Sequence, residues 1–202
     1  MVNKKLTIGI DIDGVLTDFE DFVLKYGRKY FKRKPTNPNG FDVDYVFGAT
    51  KKQTRKFWER YYVKYCITLP ARPGAKKTIK RLKKEGHTII IITGRKLSCE
   101  KGFLGAAMRY TVMLWLWKNG IPCNKIIFCP EHDLKVKICK NQSVDIMIED
   151  KLQNVIAISK HIPVICINAK YNQGIASENI TRVNSWSTIP QILKPKAAKF
   201  PS

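Results

Sequence analysis

Acidic residues are scarce in this chain. Sixteen Asp and Glu stand against 37 Lys and Arg, giving a net charge of +21 over 202 residues. Long apolar runs are missing too: stretches such as TIIIIT (88–93) fall far short of the ~20 residues a bilayer crossing needs. The N-terminal residues carry two lysines but no apolar signal core and no small-residue cleavage pattern, so a cytoplasmic location is expected. No CxxC pair occurs, and no His/Cys spacing suits zinc. The six cysteines (66, 99, 123, 129, 139, 166) are scattered, mostly in apolar context, and are expected to be reduced, packed thiols. The sequons NQS and NIT then carry no glycan meaning. There is no internal repeat, RNP motif, helix-turn-helix signal or zinc finger.

What is present is ample core material. Hydrophobic residues make up 44% of the chain and aromatics 10%, enough for one good-sized domain with a small inserted subdomain. The charge admits two readings. A surplus of this size attracts polyanions and so fits nucleic-acid binding; it equally fits a solvated, lysine-rich surface that steers small anionic substrates.

Apolar continuity and length mark LTIGI (6–10), HTIIIIT (87–93), KIIFC (125–129), VDIMI (144–148) and PVICIN (163–168) as buried strands. Amphipathic or breaker-bounded helices are expected over 19–34, 51–65, 75–85, 105–119 and 132–141, after Glu149-Asp150, and in WSTIPQIL near the end. From residue 74 onward strands and helices alternate, which predicts an α/β fold: a parallel sheet with helices on both faces. The segment between the first and second strands is too long for an ordinary crossover. It predicts a small helical cap, residues 18–70, over a core made of 1–17 and 71–202.

Three strands end in polar residues: Asp11-Ile12-Asp13, Thr93-Gly94-Arg95 and Glu149-Asp150. Asp is poor in strands, and unpaired buried charge is costly, so carboxylates at these ends need a reason. In a parallel sheet the three ends share one edge, where open α/β sheets place their sites. Carboxylates crowded there call for a hard divalent cation, and oxygen ligands suit Mg²⁺.

These stretches resemble the motifs of the haloacid dehalogenase superfamily. DIDGVLTD resembles its first motif, Thr93 its second, a lysine within 135–140 its third, and IMIED its acidic fourth. All four come in order and together span nearly the whole chain. The branch that looks nearest is the 5′(3′)-deoxyribonucleotidase-like group, from the cap length, ITGR, WLWKNGI and IED.

The resemblance implies a Rossmann-like core and a phosphatase. Asp11 would be the nucleophile and Asp13 the general acid/base. Mg²⁺ would be held by Asp11, Asp13 through its backbone carbonyl, and Asp150, with Glu149 acting through water. Thr93, Gly94 and Lys135 would bind phosphate. Lys137 and Lys140 are alternatives to Lys135, which the K-x-x-x-C spacing to Cys139 favours. Arg95 is either a phosphate ligand or a surface residue. Phe41, Tyr45, Trp58, Tyr61 and Tyr62 could stack a base, or simply pack the cap. Trp115 and Trp117 read as core or interface residues. His87 and His161 read as structural, and His132 lies near the candidate lysine. The expected substrate is a small phosphorylated molecule, a nucleoside monophosphate first. Nucleic-acid ends or another phosphorylated metabolite are the alternatives, and a silent binding module comes last.

Overall fold

The computed structural model describes residues 4–129 and 132–193; the side chain of His132 and the basic segment 195–202 lie outside the described residues. Six strands form one sheet: β1 (Thr7–Ile10), β2 (Thr88–Thr93), β3 (Lys125–Phe128), β4 (Ile146–Glu149), β5 (Val164–Ile167) and β6 (Ile180–Val183). Every pairing is parallel, in the order β3-β2-β1-β4-β5-β6. The chain builds outward from β1 on one side and then returns to extend the other. The order therefore reverses between β1 and β4, and connections leaving those two strands diverge and open a crevice at their C-terminal ends.

Side-chain alternation divides the core into two layers. Ile8, Ile10, Ile89, Ile91, Ile146 and Ile148 face α4 (Ala75–Lys84) and α6 (Gly102–Lys118), with Ile79, Leu82, Val112 and Trp115 among them. Ile90, Ile92, Met147, Val164 and Cys166 face the opposite layer, which contains Cys139 of α7 (His132–Asn141) and Val155 and Ile158 of α8 (Leu152–Ser159). Both faces are covered, so the strands read as continuous apolar runs.

Between β1 and α4 lie α1 (Phe19–Phe31), α2 (Val43–Phe47) and α3 (Lys51–Thr68). Asp18 caps α1 by accepting from the Asp21 N–H. Thr50 and Gln53 form a reciprocal capping box on α3. The three helices pack around their own aromatic cluster, with Phe22, Phe47, Phe57 and Tyr65 buried at its centre. It is a third core, separate from the two layers on the sheet.

Several expectations shift. The fourth strand starts two residues later than VDIMI suggests and ends one later, at Glu149. The 105–119 helix starts at Gly102. WSTIPQIL is a 3₁₀ turn, Trp186–Thr188, followed by α9 (Ile189–Ile192). The short helix α5 (Lys96–Cys99), α2 and β6 have no counterpart in the sequence reading. Trp115 is core, its indole donating to the Leu69 carbonyl, whereas Trp117 is 79% exposed. His87 is buried and its Nδ1 accepts from the Leu6 N–H, a structural role; His161 is exposed. All six cysteines are free thiols.

Candidate active site

β1 stops at Ile10, and Asp11 to Gly14 form the turn beyond it. Asp11 stays tied to the sheet because its N–H donates to the Ile148 carbonyl of β4. Its carboxylate is buried beside Glu149 and Asp150 from the neighbouring strand end, so the three acids straddle the point where strand order reverses. One oxygen from each lies within 4.8 Å of the others. Among the described residues one cation enters this group: Lys135 of α7 donates to Asp11 Oδ1 at 2.7 Å and to Glu149 Oε2 at 2.6 Å. Lys137 and Lys140 of the same helix are exposed. Of the three candidate lysines, Lys135 is the one that faces the carboxylates, and Lys137 is turned away from them.

Charge balance explains the titration of the group. Burial pushes Asp11 up to about 7, against the pull of Lys135. Burial, then the neighbouring Glu149 and Asp11, drive Asp150 well above the usual carboxylate range. Burial alone would raise Glu149 too, but Lys135 and the Lys151 N–H hold it below its ordinary value. Its second oxygen accepts from the backbone N–H groups of Asp150 and Lys151. Glu149 is therefore a partner of Lys135 in direct contact.

The donor set fits a hard divalent cation. The group supplies carboxylate oxygens alone, carries more negative charge than Lys135 can balance, and leaves the buried Asp150 Oδ1 with no hydrogen-bond partner among the described residues. Gly14 lets the chain pass against this group: at φ +85° it sits where a Cβ would collide with the Asp150 carboxylate and approach the Tyr171 hydroxyl. Tyr171, in the segment after β5, donates a short hydrogen bond to Asp150 Oδ2, and Asn172 holds the Asp150 carbonyl at 2.7 Å.

Asp13 is set differently. It lies beyond the strand, so strand alternation does not place its side chain; two donors do. The Tyr65 hydroxyl of α3 donates to Asp13 Oδ1 at 2.8 Å, and Arg95 reaches the same oxygen through Nε at 2.9 Å. Arg95 is buried, stacks its guanidinium over the Tyr65 ring and is no surface residue. Thr93 ends β2 fully buried, its hydroxyl unpartnered among the described residues, and Gly94 follows it exposed.

Above this edge is a cavity of about 390 Å³ bounded by Asp13, Gly94 and Arg95 below and by Phe19, Phe41, Asp42, Thr54, Trp58, Tyr62 and Tyr65 from the α1–α3 segment. Trp58 and Tyr62 line it, and Phe41, also on its wall, stacks on Phe19 at 4.7 Å. Tyr45 does not line it: the side chain is 61% exposed and packs over Gly40. Tyr61 is buried in the aromatic cluster of the cap.

Sequence reasoning missed Tyr65 and Tyr171. Tyr65 had a faint signal, since it follows Trp58 by seven residues and shares its helix face. Tyr171 had none beyond its position after a strand ending on the same edge.

Comparison with known proteins agrees with this geometry. The protein-family model described as "5′ nucleotidase, deoxy (Pyrimidine), cytosolic type C protein" matches residues 4–199. The chain is 30% identical over 188 residues to a Bacillus subtilis protein named "Putative nucleotidase YqfW", covering 90% of each. It is 28% identical over 211 residues to a Chlorobaculum tepidum protein named "Putative 5′(3′)-deoxyribonucleotidase", covering 96% of this chain and 93% of that one. Among solved structures, a haloacid dehalogenase-superfamily hydrolase from Geobacter sulfurreducens superposes with a TM-score of 0.57 at 10% identity, over 94% of this chain and 96% of that one. A D,D-heptose 1,7-bisphosphate phosphatase from B. bronchiseptica, complexed with magnesium and phosphate, superposes with a TM-score of 0.54 at 15% identity, over 94% and 98%. At these identities the structures speak for the fold alone. The family match over nearly the whole length makes this chain a phosphatase-type hydrolase that belongs to the cytosolic type C 5′-nucleotidase family and shares the fold of a haloacid dehalogenase-superfamily hydrolase.

Proposed function

We propose that the protein is a Mg²⁺-dependent phosphomonoesterase that hydrolyses a nucleoside monophosphate, with deoxyribonucleotides the first candidates, through an aspartyl-phosphate on Asp11. The observation that carries this reading is that Lys135 bridges Asp11 and Glu149, beside Asp150, on the same sheet edge from which Asp13, Gly94 and Arg95 line an aromatic-walled cavity. In this reading residues 18–70 form the cap, and the core consists of residues 1–17 and 71–202.

Asp11 and Asp150 would hold the metal, with the Asp13 backbone carbonyl. When bound, the cation supplies charge neutralisation to the carboxylates and to the phosphoryl group. The chain's own residues do the rest. Lys135 favours the ionised form of Asp11 and orients it, and an Asp11 carboxylate oxygen attacks phosphorus, splitting one hard hydrolysis into two displacements. Tyr65 and Arg95 hold Asp13 by Oδ1, which leaves Oδ2 to give a proton to the leaving oxygen and later to take one from the attacking water. The free Thr93 hydroxyl and the Gly94 backbone suit a non-bridging phosphate oxygen. Phe41, Trp58 and Tyr62 offer flat faces to a base, in a cavity whose volume lies within the range of small-molecule sites.

The test is a panel of deoxyribonucleoside and ribonucleoside monophosphates assayed with Mg²⁺, alongside Asp11→Asn. An Asn cannot form the acyl-phosphate, so the variant should fold and show no turnover. Near-normal activity in that variant would remove the covalent mechanism.

A further inference from the structure

The two carboxylate oxygens of Asp150 stand in opposite situations. Oδ2 accepts from the Tyr171 hydroxyl, and the Gly14 backbone lies so close against it that an added Cβ would sit 1.9 Å away. Oδ1 is buried and has no hydrogen-bond partner among the described residues. Leaving a buried acceptor open is costly, so an open oxygen beside Asp11 and Glu149 is one held ready for a ligand. The other two acids are already partly engaged. Lys135 takes Asp11 Oδ1 and Glu149 Oε2, and the backbone N–H groups of Asp150 and Lys151 take Glu149 Oε1.

Tyr171 is braced from several sides. It lies in a 3₁₀ turn, Lys170–Asn172, just after β5. The buried Asn172 ties that turn down: its amide donates to the Asp150 carbonyl at 2.7 Å and to the Ile167 carbonyl at 2.9 Å. Its Oδ1 accepts from the Ala169 N–H and from Arg182 of β6, which also reaches the Asn172 carbonyl at 2.9 Å. From the other side the Phe41 ring meets the Tyr171 ring edge-on, with centroids 5.1 Å apart. A tyrosine held this firmly dictates which carboxylate oxygen it occupies.

We infer that Tyr171 is a positioning residue that makes Asp150 a one-oxygen metal ligand and so sets the preference of the site for Mg²⁺ over Ca²⁺. The inference rests on the reading of Asp150 as a metal ligand. The two ions ask different things of a carboxylate. Mg²⁺ holds to an octahedron with oxygens at about 2.0–2.1 Å and keeps several waters, so single oxygens suit it. Ca²⁺ takes ~6–8 oxygens at about 2.3–2.6 Å in flexible geometry and readily accepts both oxygens of one carboxylate. With Oδ2 engaged by Tyr171 and pressed by Gly14, Asp150 offers the first arrangement and withholds the second. Glu149, with both oxygens engaged, does not make up the difference.

Isothermal titration of the full chain, freed of metal and without substrate, with Mg²⁺ alone and with Ca²⁺ alone reads the preference. Tyr171→Phe keeps the ring against Phe41 and removes only the hydroxyl, so the fold should survive; a melt in EDTA checks this. Losing an outer partner of a metal ligand typically weakens metal binding by about 10–100-fold. Mg²⁺ should therefore bind the variant about tenfold or more weaker, while Ca²⁺, which gains an oxygen, binds no weaker than in wild type. A ratio of the two dissociation constants that does not move, whether both ions weaken together or neither does, overturns the inference and leaves the metal reading standing. Wild-type protein that binds neither ion overturns both. A crystal structure of the wild type with Mg²⁺ tests the same point without a substitution. The ion should touch Asp150 through Oδ1 alone, with Tyr171 still on Oδ2. An ion straddled by both oxygens, or one seated on Oδ2 with the tyrosine displaced, overturns the inference whatever the variant does.

Discussion

Lys135→Met tests the electrostatics of the site at its most exposed point. The lysine side chain is 5% exposed and is, among the described residues, the one cation in contact with Asp11 and Glu149. Three ionised carboxylates with oxygens within 4.8 Å of one another would repel by about 3.5 kcal/mol or more per pair at an effective dielectric of ~20. Taking up a proton costs less. Asp11 and Asp150 already titrate high, so Glu149 is the group that must change. In the wild type it is held below its ordinary 4.5; without Lys135 burial and its neighbours raise it. A carboxylate whose folded pKa is raised contributes fully below its unfolded pKa and loses that contribution as pH rises. At pH 7, about 2.5 pH units above the ordinary value, keeping Glu149 protonated costs about 3 kcal/mol; at pH 5 it costs less than about 1 kcal/mol. For a chain of this size each kcal/mol moves Tm by ~2–4 °C, so the variant should melt about 6–12 °C below wild type at pH 7 and only ~1–3 °C below at pH 5. Thermal unfolding in EDTA at the two pH values reads this directly. Lys135→Met/Glu149→Gln should recover most of the loss at pH 7. Equal deficits at both pH values, or none at pH 7, would show that the lysine does not balance this group.

Other consequences are simpler to measure. Asp150→Ala should raise the Mg²⁺ concentration needed for activity, and EDTA should abolish wild-type turnover; activity indifferent to EDTA removes the metal from the scheme. Tyr65→Phe removes a hydrogen bond to a charged group, worth ~1.5–3 kcal/mol, and should lower kcat by about tenfold or more with KM little changed. If KM alone rises, Tyr65 serves binding instead of Asp13. The net charge of +21 should produce a shallow salt dependence of kcat/KM on a mononucleotide. A phosphorylated oligonucleotide that is preferred, and that loses ~10³-fold or more between 50 and 200 mM salt, would move the reading to nucleic-acid ends.

The sheet was legible wherever burial leaves an unbroken apolar run. TIIIIT and LTIGI could be little else, and the polar residues that follow them stood out against that background. β6, ITRV, was not: it is an edge strand, half exposed, and its alternation is too short to separate from a loop. α2 spans five residues, less than any helical period can declare. Within the site, Asp11, Asp150 and Thr93 could be placed from strand ends alone, because topology brings those ends together. Lys135 needed the helix, since only the turn of α7 shows which lysine faces inward. Tyr65 and Tyr171 depend on contacts 52 and 21 residues away in sequence, and no local pattern records them.

The bond from Tyr65 to Asp13 joins two parts of the chain that need not move together, the helical segment above the cavity and the sheet edge below it. Its geometry makes the seating of that segment part of how the acid is held. A ligand that fits would leave Tyr65 on Asp13; one too bulky would push the hydroxyl away and leave the carboxylate on Arg95 alone. Discrimination against oversized substrates would then be written in the turnover number instead of in binding: such a molecule could occupy the site well and still be a slow substrate, or an inhibitor.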